Sequence, residues 1–301
     1  MIRTLTYDIP REYSGHKISE YLRGRGYSEQ NLKILRHTPE SIFLNGEEVF
    51  MNARFSGNDD HLKVVIRDRA GSENIPPVEA DLNIVYEDED IIVINKSGGM
   101  PVHPSINNYE NTLANALAYY YEKRGEDFVF RCLNRLDKDT TGLTVIAKHM
   151  LSSSILYEEM QQKKVKRTYY AVVSQTGKNG EMLPDHGCIT APIGRAEDGI
   201  ISRCVDFENG QDAITHFSVE KRKKEYALLK LNLETGRTHQ IRVHMSWLGF
   251  PLIGDYMYGE ESGAIKRQAL HAGRLEMIHP ITGEKLLFEA ELPEDMASLL
   301  M

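Results

Sequence analysis

Residues 134–144, Asn-Arg-Leu-Asp-Lys-Asp-Thr-Thr-Gly-Leu-Thr, place an acidic side chain after an apolar run and just before a Thr-Thr-Gly turn. Residues 143–147 then predict a buried strand, because they are rich in β-branched residues and too few for a helix. We therefore expect Asp137 in a turn between two strands, where a carboxylate is held on both sides and can face a cleft. An isolated Asp more often ends a strand and caps a turn, so other segments must decide.

The composition is that of an ordinary globular protein and sets few limits. At 301 residues the chain is long enough for one large domain and one small domain. No stretch approaches the ~18 apolar residues of a membrane span, and the N-terminus lacks the apolar core of a secretory signal. Three widely spaced cysteines indicate neither a disulfide framework nor a zinc cluster. We expect a cytoplasmic protein with no membrane association.

Residues 1–68 are interpreted as a small separate α/β domain. The pattern predicts two helices, a hairpin with an Asn-Gly turn and one further strand, at residues 18–25, 31–36, 41–49 and 61–66. Residues 69–80 are polar and punctuated by glycine and proline, which is typical of a linker.

Residues 81–301 form the expected large domain. Short apolar runs and a few helical patterns follow one another without regular alternation of strand and helix. That order favours an α+β fold, with a mixed, mainly antiparallel central sheet and flanking helices. The clearest predicted elements are strands at residues 91–95, 143–147, 166–173 and 226–233, and helices at residues 112–121 and 151–162.

A second informative segment lies at residues 233–245, where a strand ends at a Thr-Gly turn. We expect a helix from about Thr238 to Leu248, which would place His239 and Arg242 on one face. A helix N-terminus attracts anions, so Arg237, His239 and Arg242 would together suit a carboxylate or a phosphate. A solvated basic face is the plainer alternative. His239 and His244, five apart, face different sides, so we expect no metal.

The third segment concentrates positive charge in a chain whose formal net charge is −8. That net charge argues mildly against nonspecific nucleic-acid binding. Four cations nevertheless lead into a predicted strand with no acid among them: Lys163, Lys164, Lys166 and Arg167. Strand alternation sends Tyr169 and Tyr170 to opposite faces, so one can be core while the other faces a cleft.

These segments together resemble a known family. Arg-Leu-Asp-x-x-Thr-Thr-Gly-Leu, Lys-Arg-Thr-Tyr-Tyr-Ala-Val-Val and Thr-Gly-Arg-Thr-His-Gln-Ile-Arg-Val-His look like the three motifs of the RluA-type pseudouridine synthases, in their family order. The resemblance covers roughly residues 81–293, with further matches at residues 87–104, 249–255, 270–272 and 279–284. Three positions depart from the family pattern: Asn134 replaces the usual His, Thr141 the usual Ser and Ser97 the usual Pro.

The N-terminal residues are similar to a degenerate S-four-like RNA-binding domain. Two short helices are followed by a hairpin reading Leu-Asn-Gly-Glu-Glu-Val. The Ser-Arg pair that usually opens the second helix of such domains is replaced around residues 28–30. The resemblance therefore supports the fold of this region more than an RNA contact.

The resemblance implies an RNA pseudouridine synthase, an isomerase that acts on specific uridines of ribosomal or transfer RNA. It implies that Asp137 is the essential carboxylate, acting as nucleophile or base towards the sugar, and that Arg242 is its ion-pair partner. Tyr169 matches the tyrosine that stacks on the uracil and assists removal of the C5 proton. The reaction needs no cofactor, in agreement with the lack of a glycine-rich nucleotide loop. We also expect a monomer.

The basic residues are expected to bind RNA. Arg135 resembles the arginine that fills the space left by the turned-out base. The other expected RNA contacts are Arg237, His239, Lys163, Lys164, Lys166 and Arg167. A second basic run, at residues 221–224, is also expected to contact phosphates.

Two other interpretations stay open at this point. Asp137-x-Asp139-Thr140 is similar to the nucleophile loop of haloacid-dehalogenase-like phosphatases, although Asn134 and Arg135 interrupt the apolar strand that such a loop requires. The chain could also be a non-catalytic RNA-binding protein or RNA chaperone built on a synthase scaffold.

Overall fold

The computed structural model describes residues 1–68, 75–105, 108–177, 180–197 and 201–301. The α-helices in these ranges are α1 (Ile18–Gly24), α2 (Glu29–His37), α3 (Leu113–Lys123), α4 (Met150–Gln161), α5 (Gln240–Trp247) and α6 (Glu294–Ser298), and one short 3-10 helix spans Arg11–Tyr13. The strands are β1 (Ile2–Asp8), β2 (Ile42–Leu44), β3 (Glu47–Glu48), β4 (His61–Arg67), β5 (Ile84–Glu87), β6 (Ile91–Lys96), β7 (Thr141–Ala147), β8 (Lys166–Ser174), β9 (His186–Thr190), β10 (Ile193–Arg195), β11 (Arg203–Val205), β12 (Ile214–Lys223), β13 (Tyr226–Leu233), β14 (Leu270–Ile278) and β15 (Lys285–Glu289). None of these helices has the length and apolar character needed to cross a bilayer.

The N-terminal region is a four-stranded antiparallel sheet in the order β1-β4-β2-β3, accompanied by α1 and α2. Both helices and the Asn-Gly hairpin lie where the sequence predicts them. The sequence analysis does not predict β1, an edge strand in which Leu5 alone is buried, because such a strand lacks a clear apolar face. The proposed boundary at residue 68 stays a prediction, and residues 69–74 of the expected linker lie outside the described residues.

The N-terminal sheet packs against α4 of the large region. Met150 and Leu151, at the start of α4, belong to the same buried apolar cluster as the core of the small sheet. Beside this contact, Arg3 donates to the Asp90 carboxylate at 2.7 and 3.2 Å, and Nε2 of His149 lies 2.8 Å from the same group. Burial opposes ionisation of Asp90, but hydrogen bonds from His149 and Arg3 outweigh it and lower its pKa to about 2.

The large region contains a nine-stranded sheet in the order β5-β6-β7-β14-β8-β13-β12-β9, with β15 paired to β14. All its described pairings are antiparallel except the pairing of β7 with β14. The predicted mixed, mainly antiparallel α+β fold is thereby confirmed. Every residue of the central strand β7 is buried, as the run of β-branched residues predicts. The largest apolar cluster joins the sheet to α3 and α5.

One expectation about the Asp137 segment is wrong. A strand does follow, but residues 124–140, all of them described, contain no strand, so none leads directly into Asp137. The preceding residues run beside β7 and form only an isolated bridge between Cys132 and Ile146, with Leu133 N donating to Val145 O at 3.0 Å. The apolar residues of this run therefore pack in an irregular segment beside β7 and do not form a regular β-ladder.

The parallel pairing of β7 with β14 generates a stability prediction at Gly142. This glycine has a φ of +111°, and an added Cβ would lie 2.3 Å from the oxygen and 2.6 Å from the nitrogen of Ala272. Gly142→Ala should therefore lower the free energy of unfolding by about 3 kcal/mol or more, through strain and a backbone clash. Urea denaturation followed by circular dichroism would measure the loss.

Gly283→Ala is the matched control, because Gly283 has a φ of +76° and no heavy atom lies within 4 Å of the added Cβ. It should cost about 1–2 kcal/mol, the strain of the left-handed backbone alone. Equal losses in the two variants would contradict the proposed clash at the strand pairing.

Candidate active site

A buried lysine, Lys96, holds the turn that carries Asp137. Thr140 N donates to Asp137 O at 3.1 Å and closes the turn. Nζ of Lys96, at the end of β6, donates to the carbonyl oxygens of Ser97, Met100 and Lys138 at 2.7, 2.8 and 2.9 Å. Burial lowers the pKa of Lys96 to about 7, against the attraction of nearby acids. Three carbonyl acceptors nevertheless match the three N–H groups of the ammonium form.

The segment before Asp137 is tied to β7 by the buried side chain of Asn134. Its Nδ2 donates to Leu143 O at 3.0 Å, and its Oδ1 accepts from Val145 N at 2.9 Å. On the other side of the turn, Gln268 donates to Oγ1 of Thr140 at 3.2 Å. The Asp137 backbone is thus fixed on both sides by buried hydrogen bonds, although none of the described strands leads directly into it.

The guanidinium of Arg242 bridges two carboxylates. Its Nε and Nη2 donate to Asp255 at 2.7 and 2.8 Å, and its Nη1 donates to Oδ2 of Asp137 at 3.2 Å. The side chains of Arg242, Asp255 and Asp137 are 4%, 0% and 24% exposed. Burial opposes the charge of Arg242, but Asp255 and Asp137 together raise its pKa above the usual value. Asp137 is the solvent-facing end of this network.

The expected helix begins later than predicted. His239 has left-handed backbone angles (φ 57°, ψ 19°), and α5 starts at Gln240. The buried side chain of Gln240 accepts from Thr235 Oγ1 at 2.8 Å and from Arg237 N at 3.0 Å, which stabilises a turn where the sequence analysis places helix. His239 and Arg242 therefore do not share a helix face. The turn still brings Nε2 of His239 to 3.9 Å from Oδ1 of Asp137.

Tyr169 lies on the cleft side of β8. Its side chain is buried and lines the same cleft as Asp137, whereas Tyr170 lies against Gly273 of β14. The strand alternation predicts this division but not which tyrosine faces which side. The residues that line the cleft are Arg135, Leu136, Asp137, Thr140, Tyr169, Leu233, Arg237, His239, Gln240, Ile241, Arg242 and Leu270.

The structure separates the predicted basic residues into two groups. Arg135, Arg237 and His239 line the cleft, and Arg135 is exposed without a hydrogen bond or ion pair in the described ranges. Arg237 is held by Asp212 O and Gln211 at 3.0 and 2.9 Å. Lys163, Lys164, Lys166 and Arg167 lie outside the cleft lining.

Within the outer group, Lys163 is paired with Glu234 at 2.7 Å, and Arg167 lies beside Gly236. These contacts place residues 163–167 next to the turn that leads into α5. The basic run at residues 221–224 lies at the opposite end of β13, roughly 20 Å along the strand from Leu233 of the cleft.

The two histidines considered for metal binding have other partners. His244 is buried, with its ring nitrogens 2.9 Å from Thr215 Oγ1 and 2.9 Å from Ala191 O. Among the described residues, one group away from the cleft brings metal-ligating atoms within 4.8 Å of one another, Asp88, Asp90 and His279. Its carboxylates are bound by Arg3, His149 and His279, so we assign it a structural role at the contact with β1.

Several residues of the site are missed by the sequence analysis. Arg242 is buried, and Asp137, which is partly exposed, does not supply enough negative charge to balance it. That imbalance indicates a second acid, which is Asp255. Lys96 and Gln240 carry no such signal, because their partners are backbone atoms brought together only by the fold. Tyr258, which lies next to His239, is likewise invisible from spacing alone.

The fold and the site define an RNA-modifying enzyme of the pseudouridine synthase class. A family model for RNA pseudouridylate synthases matches residues 90–247, so the chain belongs to this family. Among solved structures, human RNA pseudouridylate synthase domain containing 1 is similar with a TM-score of 0.58 and 28% identity, over 70% of this chain and 83% of that chain. The predicted synthase fold is confirmed.

Two bacterial relatives extend the match over most of the chain. It is 40% identical over 262 residues to the uncharacterized RNA pseudouridine synthase YhcT of Bacillus subtilis, which covers 86% of this chain and 84% of that protein. It is 36% identical over 319 residues to ribosomal large subunit pseudouridine synthase D of Haemophilus ducreyi, which covers 99% of this chain and 94% of that protein. The chain is an RNA pseudouridine synthase, and both alternative interpretations are set aside.

The unequal exposure of two Arg–Asp pairs generates a prediction for this site. Asp255→Asn leaves the buried Arg242 without its main counter-charge, so it should lower the free energy of unfolding by about 3 kcal/mol or more and reduce turnover. The control is Asp295→Asn, because Asp295 binds Arg267 at 2.8 Å through both oxygens but is 41% exposed. That variant should lose no more than about 1 kcal/mol. Similar losses in urea denaturation would contradict a central role for Asp255.

Proposed function

We propose that this enzyme isomerises uridine in ribosomal RNA of the large subunit and that Asp137 is its essential carboxylate. One observation carries the role of Asp137: it is the only acidic side chain among the described residues that line the cleft. The choice of ribosomal RNA is supported by the similarity to the Haemophilus ducreyi large-subunit enzyme, along nearly the whole of both chains.

The chemistry needs only groups that the cleft supplies. The bond from C1′ of the ribose to N1 of the uracil breaks, and a bond from C1′ to C5 forms. The proton on C5 is lost and N1 gains a proton, so no oxidant, reductant or group donor is consumed. We infer that Asp137 acts on the sugar as nucleophile or base, while Tyr169 stacks on the uracil and assists removal of the C5 proton.

The geometry around Asp137 supports this role. Oδ2 accepts from Arg242, and Oδ1 lies on the side of His239, 3.9 Å from its Nε2. Asp255 already neutralises the buried guanidinium, so Arg242 is oriented before substrate arrives and need not reorganise during the reaction. A partly exposed carboxylate beside a buried, fixed cation is suited to meet a sugar that enters from solvent.

A uridine within a stem cannot reach this carboxylate unless it leaves the base stack. Turning a base out costs a few kcal/mol, and less in loops and bulges. Arg135 is exposed at the cleft and has no described hydrogen-bond partner. We assign it to the space that the uracil leaves in the RNA.

The basic surface beside the cleft is proposed to bind phosphates. Arg237 lines the cleft, and the adjacent segment of residues 163–167 adds Lys163, Lys164, Lys166 and Arg167. Glu234 neutralises Lys163 in part, so the other three should contribute more to affinity. We further propose that the enzyme is a cytoplasmic monomer that works without a metal or nucleotide cofactor, in keeping with an internal rearrangement of its substrate.

The role of Asp137 is tested by Asp137→Asn. The amide keeps the shape of the side chain but removes the charge and the nucleophilic or basic oxygen, so single-turnover formation of pseudouridine should fall at least about a thousandfold. RNA affinity should stay within about tenfold, because phosphate contacts supply most of it. Tritium release from C5-labelled RNA and filter binding would measure the two quantities.

Asp139→Asn is the control, since Asp139 lies in the same turn and its backbone oxygen, rather than its carboxylate, accepts a hydrogen bond from Arg267. It should retain turnover within about tenfold of the unmodified enzyme. Turnover by Asp137→Asn that matched this control would remove Asp137 from the proposed role.

The RNA target is tested by mapping pseudouridine in total RNA from cells with and without the gene. Carbodiimide-dependent stops of reverse transcription should disappear at one or a few uridines of large-subunit ribosomal RNA. They should return when the gene is restored but not when the Asp137→Asn form is supplied. Loss of stops in transfer RNA alone would contradict the proposed target while leaving the enzyme class intact.

A further inference from the structure

A tyrosine that is not among the expected site residues lies one hydrogen bond behind His239. Tyr258 is half-buried in the turn after α5, and its hydroxyl oxygen is 2.8 Å from Nδ1 of His239. The same oxygen accepts the backbone N–H of Arg203 in β11 at 2.8 Å. The other ring nitrogen, Nε2 of His239, faces Oδ1 of Asp137 at 3.9 Å. The imidazole therefore stands between a hydroxyl and the carboxylate.

The hydrogen bonds of Tyr258 favour one tautomer of His239. A phenol has one proton to donate, and its oxygen already receives the N–H of Arg203. In the described ranges the acceptor within reach of that proton is Nδ1 of His239. This arrangement favours Nδ1 as the acceptor, and in that tautomer the neutral imidazole carries its own proton on Nε2. This proton points towards Asp137.

The surroundings of His239 favour the neutral ring. Burial is the largest effect and lowers the pKa of His239, and the positive charges of Arg242 and Arg203 act in the same direction. The negative charges of Asp137 and Asp255 act in the opposite direction and do not overcome burial. A neutral ring is poorly suited to bind a phosphate by charge, which is the role expected from the sequence.

Packing fixes the geometry of this pair. The Arg242 guanidinium lies 5.0 Å above the ring centre of Tyr258, and Ser246 of α5 donates to Tyr258 O at 2.6 Å. The His239 backbone is held by the turn that Gln240 stabilises. These contacts hold both residues in place, which favours one direction of the Nε2–H bond before RNA binds.

We propose that His239 is a neutral hydrogen-bond donor to the Asp137 carboxylate in the reacting complex, and that Tyr258 is the positioning residue that holds the required tautomer. This rests on the proposed role of Asp137. A separation of 3.9 Å exceeds a hydrogen bond, and catalytic hydrogen bonds often tighten only when substrate is bound. Asp137 would then be held by Arg242 at one oxygen and by His239 at the other.

Two substitutions at His239 distinguish the tautomers. The amide nitrogen of His239→Gln can occupy the position of Nε2 and donate to Asp137, whereas the shorter amide of His239→Asn reaches only the position of Nδ1. We expect the Gln variant to keep turnover within about threefold and the Asn variant to lose about tenfold or more, at similar RNA affinity. Single-turnover rates and filter binding on the full-length enzyme would measure both. Equal rates for the two variants would overturn the proposal.

Tyr258→Phe tests the positioning role through pH dependence. A hydrogen bond donated to Nδ1 stabilises the neutral ring, so its loss should raise the pKa of His239. Activity that needs neutral His239 falls as pH drops through that pKa, so the acidic limb of the rate profile should move to higher pH. The rate at the optimum should fall about tenfold with unchanged RNA affinity. An acidic limb that stays in place would overturn the role of Tyr258.

A readout that needs no activity separates this proposal from that for Asp137. Nitrogen-15 spectra of histidine-labelled protein, assigned with His239→Gln, should show the wild-type ring protonated on Nε2. Protonation on Nδ1 would overturn the proposal even if Asp137→Asn is inactive. The protonation site is read from the wild-type protein, so it can be measured even if Tyr258→Phe fails to fold. Turnover by Asp137→Asn would instead contradict the proposed function and leave the tautomer unaffected.

Discussion

The Arg242 guanidinium lies between a carboxylate that is fully buried and one that is partly exposed, and the rest of the site depends on this asymmetry. A buried cation is costly unless its charge and its N–H groups are matched. Asp255 supplies a two-point match at 2.7 and 2.8 Å, which leaves one N–H directed at Asp137 at 3.2 Å. Because Asp255 already satisfies the cation, the contact between Arg242 and Asp137 could break without leaving a bare charge in the core.

The backbone around the cleft is held by polar side chains rather than by regular structure. Lys96 binds three carbonyl oxygens, and Asn134 joins the segment before Asp137 to β7. Gln240 does the same for the turn before α5. Such buried groups stabilise only the arrangement in which all their bonds form, which favours one geometry of the irregular segments over alternatives of similar compactness.

The sequence predicts the features that depend on neighbouring residues and misses those that depend on contacts between residues distant in the chain. Strand β13 begins and ends at the predicted residues, because the alternation of apolar residues that predicts it is visible within the strand itself. Helix α5 starts later than predicted. The side chain of Gln240 and the left-handed backbone of His239 stabilise a turn that local helix propensity does not predict. The edge strand β1 depends on pairing with β4 along its whole length, a contact of high sequence separation. Likewise the charge of Lys163 looks free in the sequence but is paired with Glu234.

The burial of Met150 and Leu151 in the core of the small N-terminal sheet has an evolutionary consequence. Helix α4 serves two cores at once, the core of the small sheet through Met150 and Leu151 and a second core through Leu156. A recombination event that replaced the leading segment would therefore have to preserve the contacts of Met150 and Leu151. Exchange of this segment between related enzymes is therefore constrained by the shape of this contact. Drift at positions 150 and 151 should be correlated with drift in the apolar side chains of α1 and α2 that belong to the same buried cluster.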